Sequence, residues 1–229
     1  MSGRPSTATA IATILGKDLR VELRTLQSIP AMVLFATTIY VVFRFGLSRT
    51  ELAGGLAAGV LLVTVLFAAL LAINRIMVPE REQGGFEAVR LAPVDGTALF
   101  FAKLAALFVY LVALEVIAIP IFWLFFLDDG GGLAPMLPVL ALLNLALATL
   151  GALISPIATN STARDLIGPL ILLPLLLPPL IAAGAAGERL LAAAGPDYDK
   201  YGTWLGILGL YDAIFLLIGW AVFDFLLED

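Results

Sequence analysis

The chain has 229 residues, 61% of them hydrophobic and only 14% charged, with a mean hydropathy of +1.04. That balance excludes a water-soluble domain, because one aqueous core cannot bury so much apolar surface whereas lipid accepts it. A formal charge of −5 without a basic patch speaks against nucleic acid as a partner, although in a membrane protein the placement of charges says more than their sum.

The sequence contains neither cysteine nor histidine, which removes disulfides, thiolate nucleophiles, imidazole bases and the usual transition-metal or haem ligands together. No metal site, no catalytic residue and no cofactor bound by this chain alone are expected. The first 28 residues are polar or amphipathic, so no signal peptide is expected, and the first span itself is expected to insert the chain. Within them Ile11, Leu15, Leu19, Leu23 and Leu26 recur every three or four residues, while Lys17, Arg20 and Arg24 share another face. The pattern predicts an amphipathic helix that does not cross, lying either on the inner membrane surface or against the protein's own spans. Residues 1–28 thus form one unit and residues 29–229 the spanning domain.

Crossing the hydrocarbon takes about 20 apolar residues in a helix, and helices are favoured because lipid cannot satisfy bare main-chain groups. Six stretches qualify: 29–45, 52–73, 98–127, 133–159, 166–187 and 202–223. The expected fold class is an all-α membrane protein with six transmembrane helices, an N-terminal interfacial helix and a cytosolic segment. An even number of spans puts both termini on one side. Arg4, Lys17, Arg20, Arg24, Arg75, Arg81, Arg90, Lys103 and Arg164 fall on that side, leaving Arg44, Arg49, Arg189 and Lys200 opposite, so the positive-inside bias places both ends in the cytoplasm.

Between the second and third spans, residues 74–97 hold the one conspicuous polar connection. Within 79–90, Glu80, Arg81, Glu82, Glu87 and Arg90 are charged, Gly84 and Gly85 permit a sharp bend, and Phe86, Val89 and Leu91 offer apolar anchors. This is the make-up of a short helix laid along the membrane face and suited to a partner's groove. A charged loop between spans is more often simply solvated; the contrast with the short connections elsewhere argues for docking.

Glu115 lies in the third span, Asn144 in the fourth and Asp212 in the sixth, and a carboxylate at membrane depth costs several kcal/mol unless it is paired, hydrated or protonated. They are read either as a polar path or proton-sensitive gate, or as interhelical hydrogen-bonding groups, with the structural reading preferred. In the fifth span Pro169, Pro174, Pro178 and Pro179 remove main-chain donors, so that helix is expected to bend or break, as a hinge or as a static kink. Beyond it, 188–194 has the pattern of a short helix, Gly195-Pro196-Asp197 of a breaker, and Tyr198, Tyr201 and Trp204 of outer interfacial anchors.

The order of these features resembles the permease subunits of ABC-2-type exporters and, most closely, the haem exporter protein B (CcmB) family. The stretches that carry the resemblance are Lys17-Asp-Leu-Arg-Val-Glu-Leu-Arg24, the run 74–93 with Glu-Arg-Glu-x-Gly-Gly-Phe-Glu and Leu91-Ala-Pro93, the pair Ala102-Lys103, and Leu173-Pro-Leu-Leu-Leu-Pro-Pro-Leu180. At the charged connection the family's acidic pair, Gly and Leu-Glu become Gly84-Gly85-Phe86-Glu87, a mild departure. The resemblance implies a non-catalytic membrane subunit in cytochrome c maturation, seated in the bacterial inner membrane. ATP hydrolysis then falls to a partner ATPase (CcmA-like) docking on Glu80, Arg81, Glu82, Gly84, Gly85, Phe86, Glu87 and Arg90.

The sequence is consistent with that division of labour. The one Gly-Lys pair, Gly16-Lys17, is followed by Asp18 and has Ile11 in place of the first glycine of a P-loop. The resemblance further implies a homodimer within the complex. It also implies haem held by partner subunits (CcmC-like and CcmD-like) and by a haem chaperone (CcmE-like), with either haem or the loaded chaperone released. Met1, Met32, Met77, Met136 and the tyrosines are read as packing or lipid-facing rather than as haem ligands. An ABC-2 exporter of a lipid, drug or glycan, a proton-coupled secondary transporter, a membrane enzyme and a passive scaffold are the competing readings.

Overall fold

Apolar side chains recurring without interruption leave helix as the form in which each stretch satisfies its own main chain. A computed structural model of the chain describes residues 6–46, 52–76, 96–127, 133–159 and 164–228. Seven α-helices lie among the described residues: α1 (Thr7–Thr25), α2 (Ser28–Gly46), α3 (Gly54–Arg75), α4 (Gly96–Phe126), α5 (Leu137–Thr159), α6 (Arg164–Leu190) and α7 (Tyr201–Glu228). A short 3-10 turn at Ala134–Met136 leads into α5. Helices α2 to α7 are each long and apolar enough to cross a membrane, and they coincide with the six expected spans to within a few residues.

Helices α3 and α5 form the centre, with 72% of each span buried, whereas α2 and α7 are 17% buried and stand at the periphery. α5 packs against α3, α4, α6 and α7, and α3 packs against α2, α4 and α6. Leu34, Val42 and Phe45 on α2 and Leu210, Leu217 and Trp220 on α7 are exposed, as befits faces turned to hydrocarbon. Small residues let the inner backbones approach closely. A Cβ at Gly151 on α5 would lie 2.6 Å from Ile73 Cγ1 of α3, one at Gly187 on α6 would lie 2.8 Å from Ala58 Cβ of α3, and one at Gly219 on α7 would collide with the Phe100 ring of α4.

Of the bend or break expected in the fifth span, a break does not occur. α6 is one continuous helix through Pro169, Pro174, Pro178 and Pro179; the side chain of Pro169 lies outside the described residues. Each proline strips a donor from the carbonyl one turn earlier, and two of these carbonyls gain a side-chain donor. Tyr211 Oη of α7 donates to the Leu175 carbonyl, which Pro179 leaves free. In α5 Ser155 Oγ donates at 3.1 Å to the Ala152 carbonyl freed by Pro156.

The end of the bundle away from the termini is stitched by main-chain bonds. Leu52 N–H reaches Phe126 O at 3.0 Å, and Gly54, at a φ of +57° that favours glycine, donates to Leu191 O at 2.6 Å. The short helix expected over 188–194 is not separate: Glu188–Leu190 complete α6, and a turn follows in which Gly195 has φ +102°. Arg189 pairs there with Asp197 (3.0 Å) and Asp199 (3.3 Å), an exposed arrangement of modest energetic weight. Tyr201 Oη donates to Pro135 O at 2.9 Å, and the Tyr198 and Tyr201 rings meet edge to face.

Candidate functional site

Glu80, Arg81, Glu82, Gly84, Gly85, Phe86, Glu87 and Arg90 lie outside the described residues. Both roots of their connection are described: α3 ends at Arg75 with Ile76 as its C-cap, and α4 begins at Gly96. The first helix of the chain meets them there.

α1 packs against α4 through only part of the apolar stripe expected from its periodicity, Leu15 and Leu19 but not Leu23 or Leu26. Its buried residues are Ala10, Asp18 and Glu22, with Ile14, Leu15 and Leu19 partly buried beside them, while Leu23 is 70% and Leu26 59% exposed. Two acidic residues on the buried face of a helix require partners, and both have them. Asp18 Oδ2 accepts from Lys103 Nζ of α4 at 2.8 Å, with Lys103 fully buried and Asp18 5% exposed. Oδ1 of the same carboxylate lies 3.2 Å from the half-exposed Lys17 ammonium.

Lys103 Nζ also donates to Ile76 O at 3.2 Å. That carbonyl belongs to the C-terminal turn of α3, where carbonyls lack helical donors and the helix dipole favours a cation. Tyr110 Oη, two turns further along α4, reaches the Asp18 carbonyl at 3.4 Å. Arg75 Nη1 donates at 2.8 Å to Gln27 O in the α1–α2 connection. Glu22 Oε1 accepts from the main-chain N–H groups of Ser28 and Ile29, each at 2.8 Å, and thereby caps α2. One set of polar contacts therefore ties α1 to the start of α2, the end of α3 and the first turns of α4.

In the sequence Lys103 stands out only as a marker of sidedness and as part of a motif, and Asp18 and Glu22 only as members of the stretch 17–24. A signal was present. A lysine deep enough in an apolar span to be buried needs a carboxylate, and Asp18 and Glu22 stand one helical turn apart on the amphipathic helix before the first span.

Of the three intramembrane polar residues, Glu115 and Asn144 come together between α4 and α5, and Tyr40 of α2 and Thr64 of α3 adjoin each other on the same side of the bundle centre. Glu115 is 8% exposed; Asn144, Tyr40 and Thr64 are fully buried. Thr64 Oγ1 donates to Val60 O at 2.7 Å within its own helix. Tyr40 also meets the Phe122 and Phe126 rings edge on, with centroids 5.5 and 6.0 Å away. Asp212, on α7, is buried beside Tyr211 and does not join this group. Among the described residues no three acids approach closely enough to share a metal ion.

A family model described as CcmB protein matches residues 9–224, nearly the whole chain. The chain belongs to the CcmB family. It is accordingly a multi-pass membrane protein and the permease subunit of an ABC transporter that serves haem transport in cytochrome c biogenesis. A search of curated proteins gave no match. The match takes in nearly all of α1, the six membrane helices and the connection 77–95, so the polar contacts around Lys103 lie within the matched range.

Proposed function

We propose that this CcmB-family chain transmits the work of a separate ATPase into the membrane through the connection between α3 and α4. The ATPase, of CcmA type, docks on the segment containing Glu80, Arg81, Glu82, Gly84, Gly85, Phe86, Glu87 and Arg90. Two copies of the chain build the membrane core in the bacterial inner membrane, with both termini cytoplasmic, because ABC ATPases hold nucleotide between two copies and six spans make half a transporter.

The observation that carries this reading is the anchoring of the connection's roots. Lys103 bridges Asp18 of α1 and the Ile76 carbonyl, and Arg75 bonds the α1–α2 connection, so a displacement arriving at either root meets several helices at once. A merely solvated loop has no need of such bracing. Haem is held by histidine-bearing partners of CcmC and CcmD type and by a CcmE-type chaperone, since this sequence has no histidine or cysteine to ligate it. The ATP-driven step then releases the loaded chaperone.

The test is a pull-down from membranes in mild detergent. The wild-type chain is expected to bring down a P-loop ATPase and the haem-handling subunits. Changing Phe86, Glu87 and Arg90 together to Ala is expected to abolish ATPase recruitment while the other subunits remain. Retained recruitment would overturn the docking assignment.

A further inference from the structure

We infer that Asp18 and Lys103 are positioning residues for energy transfer, a buried ionic joint that makes α1, the end of α3 and the start of α4 move as one body. The inference rests on the reading of the connection as the ATPase contact. Its basis is geometric. The Lys103 ammonium sits about two turns into α4, fully buried, 2.8 Å from the Asp18 carboxylate and 3.2 Å from the last described carbonyl of α3. Relative sliding of α3 and α4 at this level therefore breaks two charge-assisted bonds together.

Tyr110 reinforces the same side of α1 through the Asp18 carbonyl, and Glu22 joins α1 to α2 by capping it. The joint thus reaches α2 as well, the most lipid-exposed of the N-terminal spans. Apolar contact alone would hold α1 in place but would let the helices slip, because dispersion and hydrophobic contact are not directional. The ionic joint supplies direction.

The test compares wild type with Asp18→Leu/Lys103→Met in the full complex. Replacing both partners avoids leaving one charge buried alone and preserves apolar packing, so folding is expected to survive. Three quantities are read: ATPase co-purified with the chain, ATP hydrolysed, and cytochrome c matured per ATP. The double variant is expected to keep the ATPase and its hydrolysis but lose about tenfold in cytochrome c per ATP, within the range typical of coupling between separate sites. Protease protection of α1 is expected to be unchanged, which a purely structural role of the pair would not allow. Wild-type yield per ATP in the double variant would overturn the joint, as would loss of the ATPase itself, which would make the pair part of the docking surface. A wild-type chain that recruits no ATPase would instead overturn the function on which the joint rests.

Discussion

The Tyr211 hydroxyl donates to the main-chain carbonyl of Leu175, one helical turn before Pro179, and so restores from a neighbouring helix the bond that the proline removes. In hydrocarbon no water takes that place. Tyr211→Phe is therefore expected to lower stability by about 1 kcal/mol, the usual net worth of such a bond. In a Pro179→Ala background the helix regains its own donor, and the same change is expected to cost measurably less. Thermal unfolding of the four proteins in detergent forms a double-mutant cycle, and additive losses would show that the hydroxyl does not serve the proline.

Glu22 stands before α2 as an acidic cap supplied from another helix, accepting two main-chain N–H groups with one oxygen. Glu22→Ala is expected to cost about 1 to 2 kcal/mol, because two donors at the positive end of α2 lose their acceptor in a buried place. Glu22→Gln keeps an oxygen there and is expected to cost less. Melting temperatures rank the three; equal loss in both variants would place the stabilisation in the charge alone.

Glu115 and Asn144 adjoin between α4 and α5. Glu115→Gln preserves a polar neighbour for Asn144 and is expected to leave cytochrome c maturation close to wild type. Maturation that collapses in Glu115→Gln while the protein still folds would make the carboxylate's proton part of the transport step.

The absence of cysteine turns sidedness into a clean measurement. Ala12 on α1 and Ala193 beyond α6 are both exposed, at opposite ends of the bundle. In intact cells an impermeant maleimide is expected to label Ala193→Cys and to spare Ala12→Cys. The reverse pattern would place the termini outside and remove the ATPase's access to the connection.

Six spans were legible in the sequence because each is a long apolar run, a signal that survives whatever the helices later pack against. The face on which α1 packs was legible only in part, through Leu15 and Leu19. Its leucines recur with helical period, yet Leu23 and Leu26 stay exposed while Asp18 and Glu22 are buried. Periodicity registers hydrophobicity, and here the deciding contacts are an ion pair with Lys103, far along the chain, and a cap on the next helix. The continuity of α6 was hidden for a related reason: a lost donor breaks a helix only if no neighbour replaces it, and Tyr211 belongs to a helix that sequence alone does not place beside Leu175.

Helix α3 is gripped near its two extremities by bare backbone, Gly187 of α6 against Ala58 and Gly151 of α5 against Ile73. A rod clamped at two points along its length cannot flex midway without driving side chains into main chain. Neither glycine can take on a methyl group without pushing α3 aside, so these two hydrogen-sized gaps set how near the central helices stand at both leaflets.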